Sequence, residues 1–287
     1  MPVEATYAEV LDRGLPSHAV INVSVPGYSI YQGRTLLAKL LPELRPDIVV
    51  AAFGFNDSRT VLETLIRTSR LVRLLAAVAG VQVHGRSVPG ESLERAHPED
   101  ASPTDALTLD EVRPRVSPEE FGEHLAAMRD IVERQGARLI LLYLPDNPQF
   151  MPTELNDGMT ALQRGDPEAA LEPLRVVAES AHWYSMLARR QWAAALREAG
   201  RLEEAARASR IPVPLRSLHG ALPLHFDQEY RHVMRGLATD PGVRFCDGTA
   251  ALYSARDYFD RDPCHFGMRG HQRVAETLLQ CLADSAP

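Results

Sequence analysis

Apolar runs that alternate with helical patterns are the feature that most constrains how this chain can fold. Residues 47–54 and 138–144 are almost continuously apolar, which is typical of strands covered on both faces. Between them Ser117 starts a helical pattern, with proline at the first helical position and glutamate at the third. Strands that alternate with helices predict an α/β protein whose parallel sheet has helices on both faces.

The same reading places the remaining elements along the chain. A near-continuous helical pattern covers 61–81, and the proline-rich and charged stretch 86–115 is predicted to be a long loop or lid. Pro42 and Pro46 are expected to end the second helix. Further helices are predicted at 6–14, 35–41, 230–237 and 270–282, and further strands at 19–23 and 243–247.

Residues 151–211 carry a purely helical pattern with a weak internal repeat. The segment that begins at Gly165 recurs at Gly200, an offset typical of tetratricopeptide hairpins, which these segments resemble. Two repeats are too few for a free-standing solenoid. We therefore expect an α/β domain formed by 1–150 and 212–287, with 151–211 as a helical, tetratricopeptide-like insertion. An ordinary helical hairpin is the alternative.

Composition excludes several classes of protein. With 287 residues and 45% hydrophobic content the chain can bury one sizeable core, and a net charge of −7 argues against nucleic-acid binding. Three sparse cysteines do not indicate a disulfide framework and fit a reducing compartment. No apolar run reaches transmembrane length, and no signal peptide opens the sequence. No glycine-rich phosphate loop follows a strand, which disfavours a nucleotide-binding protein.

Three clusters of residues follow predicted strands, where a parallel sheet places its active site. Gly27 lies in a turn after the first strand, and glycine lets a backbone N–H approach a ligand. Asn56 follows the second strand and can donate to an oxyanion. Asp262 precedes His265 by three residues, as in an orienting acid and its general base.

Each cluster also has a simpler interpretation. The glycine turn is common after strands, Asn56-Asp57 favours an Asx turn, and Asp262 with His265 can be a solvated pair. His271 competes as a base, but it is expected to face solvent from the start of a helix. The three clusters together are more specific than any one of them.

In order, spacing and strand context the clusters resemble the SGNH/GDSL hydrolase family. Gly27 matches that family's glycine block, Gly54-Phe55-Asn56-Asp57 matches its Gly-x-Asn-Asp block, and Asp262-Pro263-Cys264-His265 matches its Asp-x-x-His block. The resemblance covers the chain except the lid and the helical insertion. It implies a three-layer, flavodoxin-like fold in which a parallel sheet lies between two layers of helices.

The resemblance also implies roles for individual residues. His265 would be the general base and Asp262 its orienting partner, while the Gly27 N–H and the Asn56 side chain would line an oxyanion hole. Gly54 and Asp57 would support the loop. The implied reaction is hydrolysis or transfer of acyl groups on small-molecule, carbohydrate or lipid esters, without a metal or other cofactor.

The family's Gly-Asp-Ser block, which carries the nucleophile, is absent from the sequence. One hypothesis is that the true start lies upstream and that a GTG valine codon has been taken as the initiator. The other is a degenerate relative that keeps the fold for binding. Ser24, Ser29 and Ser58 do not lie on a strand-to-helix turn, and the thiol of Cys264 is expected to point away from the working face of its neighbouring histidine.

The sequence therefore predicts an ester hydrolase that is inactive as given. The alternative is a non-catalytic scaffold whose helical insertion docks a protein partner. The loss of a first strand would also leave residues 19–23 and 47–54 beside an empty position in the sheet, or force them to pair directly. Localisation stays open.

Overall fold

The structure, a computed structural model, describes residues 6–62, 107–212, 222–225 and 227–283. The strands are β1 Ile48–Ala51, β2 Thr60–Leu62, β3 Val112–Pro114, β4 Arg138–Tyr143 and β5 Val243–Asp247. The helices are α1 Tyr7–Gly14, α2 Ile30–Leu44, α3 Pro118–Glu133, α4 Thr153–Gln163, α5 Pro167–Ala178, α6 Ser185–Glu198, α7 Leu202–Ala208, α8 Asp227–Leu237, α9 Thr249–Leu252 and α10 Met268–Ala283.

These elements form two compact units. The first contains the described residues of Met1–Ser58, Val116–Met151 and Phe226–Pro287, and the second those of Arg59–Arg115 and Pro152–His225. The segment predicted to be an insertion thus shares its unit with residues that precede α3. Among the described residues, every helix is too short or too polar to span a membrane.

A three-stranded parallel sheet in the order β1-β4-β5 is the frame of the first unit. The central strand alternates its buried side chains between two clusters. Leu139 and Leu141 pack with Phe121 and other residues of α2, α3 and α8, whereas Ile140 and Leu142 pack with residues of α1 and α10. Helices therefore cover both faces of β4, and the α/β class predicted from the sequence is confirmed.

Local capping explains where two of these helices begin. The Ser117 hydroxyl accepts the Glu120 N–H at 3.2 Å, and the Glu120 carboxylate accepts the Ser117 N–H at 2.9 Å, which is the predicted capping box. At the start of α1 the Thr6 hydroxyl accepts the Glu9 N–H. Pro42 does not end α2 as predicted, because the helix runs through it to Leu44. The helix closes at Arg45, whose φ is 44°, directly before Pro46.

The strand predicted at 19–23 does not form. These residues have no regular structure, and Ile21 and Val23 are 58% and 44% exposed. Among the described residues β4 is the only partner of β1. Val49 packs on one cluster and Ile48 on the other, but Val50 is 38% exposed, so the predicted covering of both faces is met in part. An apolar, β-branched sequence makes a strand only where a neighbouring strand supplies its hydrogen bonds, and among the described residues no strand pairs with 19–23.

Two of the cysteines in the first unit are paired in a way that the sequence did not indicate. Cys246 of β5 and Cys281 of α10 form a disulfide, with Cα atoms 6.0 Å apart, although the sparse cysteines did not indicate a disulfide framework. Their separation along the chain, 35 residues, has no motif that could reveal the pairing.

Of the predicted helix at 61–81, residues 61–62 belong to β2, and 63–81 lie outside the described residues. Within the predicted lid, 86–106 also lie outside them, and 107–115 include β3.

The second unit contains the helical segment as two hairpins, α4–α5 and α6–α7. Gly165 and Gly200 close the first helix of each hairpin with φ of +74° and +75°, a conformation that glycine adopts without strain. The sequence repeat therefore marks equivalent turns. The antiparallel strands β2 and β3 belong to the same unit.

Candidate functional site

Strand ends of the sheet in the first unit carry the candidate residues. Asn56 lies just after β1, and Asp262 and His265 lie after β5. Because β4 is the central strand of the order β1-β4-β5, the segment after β4 lies between these two positions. Because β1, β4 and β5 are parallel, the segments that follow them leave the same edge of the sheet. The residues form two groups.

The first group joins the Gly27 turn to the loop after β1. Gly27 has a φ of +80°, which explains why glycine occupies the turn. The Asn56 Nδ2 donates to the Tyr28 carbonyl at 3.3 Å, so the amide predicted to line an oxyanion hole lies against the turn that holds Gly27. That amide has a second N–H, for which the described residues offer no acceptor.

Asp57 fixes the geometry of this group. Its side chain is completely buried, with Oδ1 accepting the Ile30 N–H at 2.8 Å and Oδ2 accepting the Gly54 N–H at 2.9 Å. One carboxylate thus ties the start of α2 to the end of the strand segment. Gly54, at φ +122°, is confined by Tyr230, whose Cβ would lie 3.3 Å from an added methyl group.

The second group is the pair of Asp262 and His265. The His265 Nδ1 and the Asp262 Oδ2 are 2.7 Å apart, while Asp262 Oδ1 accepts the backbone N–H groups of Cys264 at 2.9 Å and His265 at 2.7 Å. Bonding to a carboxylate places the imidazole proton on Nδ1 and leaves the lone pair on Nε2. The His265 side chain is 73% exposed, so Nε2 is open to a substrate.

Hydrogen bonds also hold Asp262 in its charged form. Partial burial by itself would raise the pKa of Asp262, but the bonds from the Cys264 and His265 backbone and from the imidazole outweigh it and lower that pKa. An ionised carboxylate beside Nδ1 stabilises an imidazolium when Nε2 takes up a proton.

Asn147 positions this pair, and the sequence reading missed it. It lies just beyond β4 and is 1% exposed. Its Nδ2 donates to the carbonyls of Asp260 at 3.1 Å and Asp262 at 3.0 Å, and its backbone N–H donates to the Pro263 carbonyl at 2.7 Å. The sequence near Asn147 gives no sign of this role, because its partners are more than a hundred residues away in sequence.

His271 is not the solvent-facing residue that was expected. Its Nδ1 accepts the Tyr7 N–H at 3.2 Å, and its ring stacks on the Tyr7 ring with centroids 5.8 Å apart. Burial lowers the pKa of His271, opposed by the charge of Asp260 and reinforced by that of His265. A neutral, half-buried ring that accepts a backbone bond links α1 to α10 and is poorly placed as a general base.

The three serines considered from the sequence serve local structure. Ser24 donates to the Asn22 side chain at 2.6 Å, Ser29 donates to the Gln32 side chain at 3.2 Å, and Ser58 donates to the Phe55 carbonyl at 2.9 Å. None of them contacts His265, so among the described residues the acid–base pair has no serine partner.

Cys264 lies beside the same imidazole. Its Sγ is 3.7 Å from His265 Nδ1, the nitrogen whose proton points to Asp262. This nitrogen therefore cannot accept the thiol proton while the Asp262 bond is intact, and the arrangement does not activate Cys264 as a nucleophile.

No known protein family and no curated protein matches the chain.

Proposed function

We propose that this protein is an ester hydrolase or acyl transferase of the SGNH/GDSL type, with the flavodoxin-like layering of that family. The observation that carries the proposal is the pair of Asp262 and His265: an anchored carboxylate holds Nδ1 and leaves Nε2 free to take a proton from a nucleophile. Asn56, beside the Gly27 turn, supplies an amide for the oxyanion.

The described residues supply the base and its orienting acid but no serine that contacts them. We therefore propose that the chain as it stands does not hydrolyse esters and that activity needs a serine delivered to His265 Nε2. In the reaction the serine hydroxyl loses its proton to Nε2 as its oxygen attacks the acyl carbon. The same proton then passes to the leaving alcohol.

Hydrolysis of a short p-nitrophenyl ester tests this proposal. The chain as it stands is compared with a version that carries a strand ending in Gly-Asp-Ser before Thr6, and with a matched version ending in Gly-Asp-Ala. We expect activity only in the serine version, and we expect His265→Ala to lower its kcat by about 10³-fold or more.

A non-catalytic binding protein is the second candidate, and a different observation favours it. Ile21, Val23, Val25 and Val50 are 58%, 44%, 41% and 38% exposed, so the first unit presents four large apolar side chains to solvent, one of them on β1. If the serine version folds and stays inert with His265 intact, the binding function is favoured and the hydrolase proposal fails.

A further inference from the structure

A thiol, an imidazole and a carboxylate converge in the segment between α9 and α10. The ligand atoms of Asp262, Cys264 and His265 all lie within 4.8 Å of one another. Two of these separations are 2.7 Å, between His265 Nδ1 and Asp262 Oδ2, and 3.7 Å, between His265 Nδ1 and Cys264 Sγ. Three donors of different chemistry thus surround one point beside Nδ1.

These separations fit a small tetrahedral cation. Zinc bonds of roughly 2.0–2.3 Å to nitrogen, oxygen and sulfur place two ligand atoms roughly 3.3–3.7 Å apart. The thiol and imidazole already have that spacing, and the carboxylate oxygen has to withdraw from Nδ1 by about half an ångström. Side-chain rotation alone can provide such a movement.

The surroundings of the cluster favour a metal site over a chance approach of side chains. Asp262 Oδ1 is held by two backbone N–H groups, which leaves Oδ2 as the ligand atom. Asn147 holds the carbonyls of Asp262 and Pro263 from the other side. Such outer hydrogen bonds orient ligands and raise metal affinity. The half-exposed Cys264 and the exposed His265 leave a path for entry.

We propose that Asp262, Cys264 and His265 bind one Zn²⁺ ion, with water completing the coordination. On binding, the Cys264 thiol releases its proton to solvent, and the proton on His265 Nδ1 is replaced by the metal while Nε2 becomes the protonated nitrogen. Thiolate and carboxylate together balance the charge of the ion. The combination of soft thiolate with imidazole selects zinc or cobalt over magnesium and calcium.

A bound Zn²⁺ would also occupy the catalytic pair, and this consequence rests on the proposed function. The ion takes Asp262 away from His265 and ties up Nδ1, so the imidazole can no longer act as the general base. Zinc would then be a reversible inhibitor of the serine version described above, relieved by a chelator.

Cobalt substitution in the full chain tests the site directly. Cys246 and Cys281 are joined in the disulfide, and Cys264 is the one of the three cysteines outside it, so a thiolate-to-cobalt charge-transfer band must come from Cys264. The experiment omits reductant, and a thiol titration first confirms one free thiol per chain. We expect the band to saturate at one Co²⁺ and to vanish when Zn²⁺ is added.

Variants separate this site from adventitious binding. Cys264→Ser should abolish the band, and Asp262→Asn should weaken Zn²⁺ binding in calorimetry by about 10–100-fold. His18→Gln, at an exposed histidine elsewhere, should leave both unchanged. Absence of the band in the unmodified chain, or undiminished Zn²⁺ affinity in Cys264→Ser, overturns the proposal. Binding without inhibition of the serine version overturns its catalytic consequence instead, so failure of the zinc site and failure of the hydrolase are read separately.

Discussion

Asp57 and Asp262 perform opposite tasks with the same chemical group. Each follows a strand of the same sheet and accepts two backbone N–H groups. Asp57 receives one on each oxygen and is fully buried, whereas Asp262 receives both on Oδ1, keeps Oδ2 for His265 and has a side chain that is 40% exposed. In this protein the aspartate that receives a backbone donor on each oxygen and is buried braces a loop, whereas the one that receives both donors on Oδ1 and is partly exposed keeps Oδ2 for His265.

The largest expected effect is on folding stability at Asp57. Asp57→Ala leaves two buried N–H groups without acceptors, and we expect the free energy of unfolding to fall by about 3 kcal/mol. The matched variant Asp262→Ala should cost less than about 1 kcal/mol, because water can replace the carboxylate in that exposed loop. Urea unfolding followed by circular dichroism measures both. Equal losses would show that the two aspartates do not differ as the comparison states.

A smaller effect on folding stability is expected at Asn147, whose side chain donates hydrogen bonds to the loop that contains Asp262. Asn147→Ala removes the side-chain hydrogen bonds to the carbonyls of Asp260 and Asp262 and the one accepted from the Gln149 N–H. We expect a loss of about 2 kcal/mol together with faster hydrogen exchange at the Cys264 and His265 amides. Asn56→Ala is the control, since Asn56 donates one described bond, at 3.3 Å. Unchanged exchange in Asn147→Ala would mean that Asp262 is positioned without it.

The smallest expected effect is a pH dependence at His271. Burial lowers the pKa of His271 in the folded state, so the neutral ring contributes stability at pH values above its unfolded pKa of about 6.5. As the pH falls below that value the unfolded chain takes up the proton first, and the contribution is lost as the pH passes through the lower folded pKa. Protonation also ends the bond from the Tyr7 N–H to Nδ1.

Unfolding measured at pH 7.5 and at successively lower pH checks this prediction against His271→Gln. The pKa values of His124 and His182 are also lowered by burial, so the unmodified chain loses stability in acid from more than one site. The difference between the two proteins isolates His271. Identical pH profiles would show that folding does not lower the pKa of His271.

Patterns that depend on near neighbours in sequence were predicted well. The capping box at Ser117, the strand Val243–Asp247 and the helical segment with turns at Gly165 and Gly200 all follow from local rules of hydrogen bonding and backbone conformation. Asp262 and His265 are three residues apart, and their contact is likewise a local one.

Contacts between distant segments could not be predicted in the same way. The apolar run at 19–23 has the composition of a strand but forms none. A strand needs a neighbouring strand to pair with, and the local sequence does not reveal whether one lies beside it. The disulfide of Cys246 with Cys281 and the bonds of Asn147 depend on which strand ends lie side by side.

The sequence by itself determined the α/β class, the extent of most helices and the pairing of an acid with a base three residues away, because these depend on short-range periodicity and hydrogen bonding. Only the tertiary structure decided that Asp57 is buried, that Asn147 anchors the loop and that His271 is a half-buried structural ring. Those outcomes depend on long-range packing, which sets how much water and which donors each group meets.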